Sequence, residues 1–150
     1  MKPQPLRPTS AFIGASWVAL FAGGGAYLVG LWSADVPLNV KGYYFTIFVY
    51  GLFSAVSLQK SVRDRLEGIP VTSIYFGLCW LSLGLSLLLL IIGLWNASLS
   101  SAEKGFCAMS FLLSLFAVVA IQKNIRDVAA LEGKSAVQND SPEDIYPFDR

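Results

Sequence analysis

The chain has 150 residues, 55% of them hydrophobic and only 14% charged, where an average soluble domain carries about 25% charge. That composition lacks the polar shell a soluble protein of this size requires, because surface-to-volume scaling leaves most of its residues in contact with solvent. A net charge of +1 with no His argues against nucleic-acid binding through bulk charge and removes the most frequent metal ligand and general base.

The elements follow from where charge is absent. Residues 1–10 form a tail with Pro3, Pro5 and Pro8, which the sequence marks as flexible. Residues 8–34 then carry no charge, and neither do residues 68–102; two shorter runs, 42–59 and 105–122, are bracketed by Lys41 and Lys60 and by Lys104 and Lys123. A bilayer core of about 30 Å needs about 20 apolar residues in a helix. The shorter runs reach about 27 Å, and their flanking lysines can snorkel to the headgroups. Four transmembrane helices are predicted, near 11–32, 42–59, 73–96 and 105–122. Each hairpin is expected to close through a loop of about nine residues. A secretory signal peptide is the competing reading of the first segment, but its apolar run exceeds the usual 7–15 residues of such a leader.

An internal repeat decides that point. Displaced by 63 positions, residues 11–64 match 74–127 at 17 of 54 places without a gap. Trp17 falls on Trp80, Gly30-Leu31-Trp32 on Gly93-Leu94-Trp95, and Gln59-Lys60-x-x-Arg63-Asp64 on Gln122-Lys123-x-x-Arg126-Asp127. The first segment copies an internal helix, so it is expected to be retained as a helix itself. Each unit reads as a two-helix hairpin. The first covers 11–68 and ends at Gly68-Ile69-Pro70, where Pro stops a helix and Gly permits the turn. The second covers 69–133. Residues 134–150, rich in acid, read as a second flexible tail.

Nine Lys and Arg lie on the side of the termini and central link, against Lys41 and Lys104 in the short loops. That bias is expected to place both termini in the cytoplasm. Both hairpins then enter from one side, giving a parallel duplication about an axis along the membrane normal. The expected fold is an all-α membrane protein of four transmembrane helices, built as two tandem, parallel-oriented hairpins.

The polar residues with the strongest pattern are Gln59, Lys60, Arg63 and Asp64 and their copies Gln122, Lys123, Arg126 and Asp127. Gln59 and Arg63 stand four apart, as do Lys60 and Asp64, so each couple shares a helical face. Three readings stand together: a snorkelling helix end with local ion pairs, a clamp in which Arg63 pairs with Asp127 and Arg126 with Asp64, or a contact for anionic lipid headgroups or a small anion. The Trp pairs suit interfacial belts. Small residues recur every four positions at Ala15-Ala19-Gly23, Ala22-Ala26-Gly30, Gly51-Ala55 and Ser82-Ser86, where lipid-embedded helices pack closely, within the monomer or across a dimer face. Cys79 and Cys107 are expected at different depths and therefore unbridged. The Asn96-Ala97-Ser98 sequon abuts the membrane and is read as chance. No catalytic residue, cofactor site or metal cluster is predicted, and enzyme activity is not expected.

The Gly-Leu-Trp-[Ser/Asn]-Ala stretch at 30–34 and 93–97, the Lys-Gly pairs at 41–42 and 104–105, and the Gln-Lys-x-x-Arg-Asp strings resemble the YiaA/YiaB family of bacterial inner-membrane proteins. The link Glu67-Gly68-Ile69-Pro70 and Thr72-Ser73-Ile74-Tyr75 is similar as well. The resemblance covers roughly 11–130 and excludes both tails. It implies a duplicated two-helix domain and a multi-pass inner-membrane location, with no activity or catalytic residue to transfer. The first unit departs from the second at Asp35-Val36-Pro37, opposite Ser98-Leu99-Ser100, so the two short loops need not be equivalent. Two functions are expected to compete. One is a membrane scaffold that binds lipid, another membrane protein or itself; the other is a small transporter or channel acting as an oligomer. Against transport, no Asp, Glu, Lys, Arg or His falls inside a predicted span, and such residues usually mark ion pathways. Serines such as Ser54, Ser57, Ser110 and Ser114 remain as candidates for a polar path.

Overall fold

The computed structural model describes residues 8–139, all in helices and short connections. The helices are α1 (Ser10–Ser33), α2 (Leu38–Leu66), α3 (Ser73–Asn96) and α4 (Ser101–Asn139). All four are long and apolar enough to cross a membrane. Residues 1–7 and 140–150, most of the two expected tails, lie outside the described residues.

The caps explain the boundaries, and they follow the repeat. Thr9 and Thr72, 63 apart, cap α1 and α3 by accepting from Phe12 N and Tyr75 N, which satisfies an orphan donor of the first turn. At α4, Ser100 and Glu103 form a capping box: Glu103 Oε2 accepts from Ser100 N at 2.8 Å, and Ser100 Oγ accepts from Glu103 N at 3.3 Å. Helix α2 ends in a Schellman turn. Ile69 N donates to Asp64 O and Gly68 N to Arg65 O, and Gly68 supplies the left-handed residue at φ +77°.

Two expectations are corrected here. The short loops are four residues each, 34–37 and 97–100, rather than about nine. A lysine marks where lipid contact ends, whereas the helix continues until a cap terminates its hydrogen bonding, so α2 and α4 begin four residues before their expected starts. Helix α4 also continues through Asn139 with no proline to stop it, so residues 134–139, expected within the second tail, are helical.

The packing departs from a pair of closed hairpins. Helix α1 packs chiefly along α4 and α3 along α2; α2 and α4 meet in the middle, and α1 touches α2 only sparingly. Each outer helix therefore rests on the inner helix of the other repeat. The contacts come in copies displaced by 63. Gly30 approaches Phe106, as Gly93 approaches Tyr43; Asn124 Nδ2 donates to Ser16 Oγ at 3.2 Å, as Ser61 Oγ lies 3.4 Å from Cys79 Sγ. Phe48 and its copy Phe111 meet edge to face near the axis, with Tyr27 stacked on Phe48 at 4.6 Å between centroids. Tyr27 Oη donates to Tyr44 O at 3.0 Å, so this buried aromatic layer leaves the phenol satisfied.

Close helix approach uses the small residues selectively. A Cβ at Gly23 would sit 2.8 Å from Ser114 Oγ and 3.1 Å from backbone atoms of Ser110 and Ser114. Gly23, Gly51, Ala55 and Ser86 are buried, while Ala15 and Ala22 are exposed. The rows thus serve packing within the monomer at their inner members. Ser54 and Ser114 donate to the carbonyls of Tyr50 and Ser110 one turn back in their own helices, so these two serines are turned onto backbone rather than lining a polar path. Trp32 and Trp95 stand largely exposed at the short-loop end. Cys79, against Ser61 in the terminal half, and Cys107, toward the short loops, are both free.

Candidate functional site

At the end of the bundle that carries the termini, the two polar strings come together between α2 and α4. Arg63 Nη2 lies 2.9 Å from Asp127 Oδ1, and Arg126 Nη2 lies 2.9 Å from Asp64 Oδ1. The arrangement is reciprocal because the two helices run parallel about the repeat axis, so each Arg faces the other copy's Asp. Two further acceptor contacts come from a residue outside the strings. Glu67 Oε1 takes Arg63 Nε at 2.8 Å, and its Oε2 takes Arg126 Nη2 at 2.9 Å. Lys123 Nζ closes the set on Asp127 Oδ2 at 2.9 Å. Three cations and three carboxylates make one neutral network across the central helix pair.

The network is asymmetric in two places. Glu67 has Ala130 as its repeat partner, so one carboxylate bridges both arginines. Lys60 is exposed and makes no ion pair among the described residues. The Lys60–Asp64 couple expected from four-residue spacing is not formed, since Asp64 accepts from Arg126 across the interface instead. Gln59 and Gln122, one turn deeper, line a shallow depression with Lys60, Arg63, Lys123 and Arg126. Each brings a buried Oε1 with no hydrogen-bond partner among the described residues.

The electrostatics follow from partial burial. The Arg63 and Asp127 side chains are 27% and 14% exposed, enough desolvation to raise a charge pair above a surface pair in strength and too little to impose a full burial penalty. The hydrogen bond from Arg63, then the Arg126 charge, hold the Glu67 carboxyl below its ordinary value. Both arginines are engaged by carboxylates, while Lys60, which makes no ion pair among the described residues, lines the same depression beside the two glutamine amides. Among the described residues no group of Cys, Asp and Glu converges as a metal site would require.

Sequence reasoning brought the eight string residues to one place but missed four contributors. Glu67 is four residues from Arg63, a spacing that marks an ion pair, but a search for repeated residues passes over it. Asn124 and Ser16, buried together one level below the clamp, differ from their copies Ser61 and Cys79, so identity hid the matched contact. Arg65 stacks on Phe76 at 4.4 Å and ties the central link to the start of α3.

The comparisons agree with this duplicated architecture. The model of the yiaA/B two-helix domain matches twice, at residues 12–64 and 75–127. The inner membrane protein YiaA of Escherichia coli (strain K12) is 57% identical over 117 residues, covering 78% of this chain and 81% of that protein. The uncharacterized membrane protein YubF of Bacillus subtilis (strain 168) is 37% identical over 68 residues, 45% of this chain and 78% of that one. No solved structure matches. With four membrane-spanning helices and one two-helix domain written twice, the chain is a multi-pass bacterial inner-membrane protein that belongs to the YiaA/B family.

Proposed function

We propose that this protein is a non-enzymatic membrane scaffold: a clasped four-helix bundle whose lipid-facing surfaces bind another membrane protein, a second copy or lipid, with both termini in the cytoplasm. The observation that carries this reading is the use made of its charges. Arg63, Arg126, Lys123, Asp64, Glu67 and Asp127 bond one another across the central helices, which holds the two repeats in one arrangement and leaves these groups engaged in structure. The aromatic layer of Tyr27, Phe48 and Phe111 fills the bundle between the clamp and the short-loop end, where a transport path would have to pass. The nine-to-two excess of Lys and Arg on the terminal side supports the orientation.

Crosslinking in native membranes, purification of the full chain and identification of what accompanies it test the reading. A stable partner in stoichiometric amount, or a discrete homo-oligomer, is expected. Specific, saturable solute flux in proteoliposomes containing the protein alone would overturn the scaffold in favour of a small transporter or channel. Reporter fusions at both termini test the orientation, and an extracytoplasmic C-terminus would refute it.

A further inference from the structure

The short-loop end holds a cavity of about 490 Å³, within the range of small-molecule sites. The repeat explains why it is there. In the half where α3 meets α2, Gly93 is covered by both Tyr43 and Tyr44, whose ring atoms stand 2.8 and 3.1 Å from where its Cβ would be. In the half where α1 meets α4, the copies of those residues are Phe106 and Cys107. Phe106 still covers Gly30 at 3.1 Å, but a thiol stands where the other half has a phenol ring. The volume that Tyr44 fills in one half is left open in the other.

The walls of that opening have a consistent chemistry. Tyr27, Tyr44 and Phe106 contribute aromatic surface, and both short loops complete the enclosure. Glu103 is the one charged residue in the lining, and its copy in the filled half is Val40. Glu103 Oε2 is engaged by Ser100 N and Oγ, while Oε1 makes no hydrogen bond among the described residues. The phenol of Tyr27 already donates to Tyr44 O, and no cationic side chain lines the interior to hold an anion. Aromatic faces beside one carboxylate, with no Lys or Arg in the wall, favour a cation whose body is apolar.

We infer that this cavity is a binding site for a free organic ammonium ion carrying a single alkyl or aryl body, seated with its charge toward Glu103 and its apolar part against Tyr27, Tyr44 and Phe106. A diacyl lipid exceeds the volume, whereas one such chain and its head fit it. The site goes beyond the scaffold role and does not depend on it, since it lies at the opposite end of the bundle from the clamp.

The test uses the full-length protein in uncharged maltoside micelles, with decyltrimethylammonium as the probe and decyl sulfate, which has the same chain and the opposite charge, as its control. Calorimetry is expected to show saturable binding of the ammonium to the wild type. Glu103→Gln retains the helix cap and removes the charge, and is expected to weaken binding about tenfold. Cys107→Tyr installs the residue found in the filled half and is expected to abolish binding. In a Cys79→Ser background the ammonium, and not the sulfate, is expected to protect Cys107 from maleimide. Equal binding of both probes, equal protection by both, or wild-type affinity in a normally melting Cys107→Tyr variant would overturn the site. Should Cys107→Tyr fail to fold, Glu103→Gln decides: unchanged affinity there also overturns it. Failure of this site leaves the partner-binding experiments unaffected.

Discussion

Neutralising Arg63 and Asp127 separately and together isolates the clamp from every other contribution to stability. The bond is charge-assisted at 2.9 Å, a class worth about 1.5–3 kcal/mol when buried, whereas exposed pairs contribute about 0.2–1 kcal/mol. With side chains 27% and 14% exposed, a coupling near 1 kcal/mol is expected, between those ranges. The single changes are softened, because Asp127 keeps Lys123 and Arg63 keeps Glu67 when the cross-helix partner is lost. Arg63→Gln, Asp127→Asn and the double variant are compared by reversible SDS titration in mixed micelles, followed by circular dichroism. The reciprocal cycle, Arg126→Gln with Asp64→Asn, is expected to give a similar coupling. Lys60→Gln with Asp64→Asn is the internal control, since those residues share a helical face without bonding, and its coupling is expected near zero. Additivity within about 0.3 kcal/mol for both cross-helix pairs would refute the clamp.

Further outcomes follow from the same geometry. Gly23→Ala forces a Cβ against backbone of α4 and is expected to lower stability by about 1–3 kcal/mol; Gly25→Ala, where a Cβ meets nothing within 4 Å, is expected to be neutral or slightly stabilising in the same SDS titration. Because the Glu67 carboxyl is held low in the folded protein, its contribution is complete above its unfolded value. It is lost as pH falls below the ordinary 4.5 and through the depressed folded value. SDS midpoints measured from neutral pH downward are expected to fall over that window, and Glu67→Gln is expected to flatten the Glu67 part of the fall. An unchanged acid limb in that variant would show that Glu67 does not bridge the arginines.

The number of spans and the duplication could be read from residues because lipid imposes one strong constraint: a helix must be long, apolar and free of charge. The predicted third span, 73–96, coincides with α3 for that reason. The clamp was legible as one of three readings because Arg63-Asp64 is copied as Arg126-Asp127, and a parallel duplication about one axis brings copies face to face. The exchange of helix partners was not legible. In lipid a helix is apolar on all sides, so no polar face reports which neighbour it meets; that choice lies in local fits such as Gly23 under Ser114 and Gly30 under Phe106. Lys41 and Lys104 mark the edge of an uncharged run, not the start of a helix; the Ser100-x-x-Glu103 pattern carries the capping signal that does. Glu67 escaped notice because it is where the copies differ.

The arrangement of helices is the claim on which the clamp, the cavity and the scaffold all stand. Disulfide trapping tests it most directly, since a bridge forms only when Cα atoms lie within about 7 Å. In a chain lacking Cys107, Ser61→Cys is expected to bridge to the native Cys79. In a chain lacking both native cysteines, Ser16→Cys with Asn124→Cys is expected to form an intramolecular bond between the first and last helices. Ser16→Cys with Ser61→Cys, which the repeat places at matching depth within one hairpin, is expected to remain reduced. A bridge in that last pair, with none between positions 16 and 124, would contradict the exchanged packing and return the protein to two self-contained hairpins.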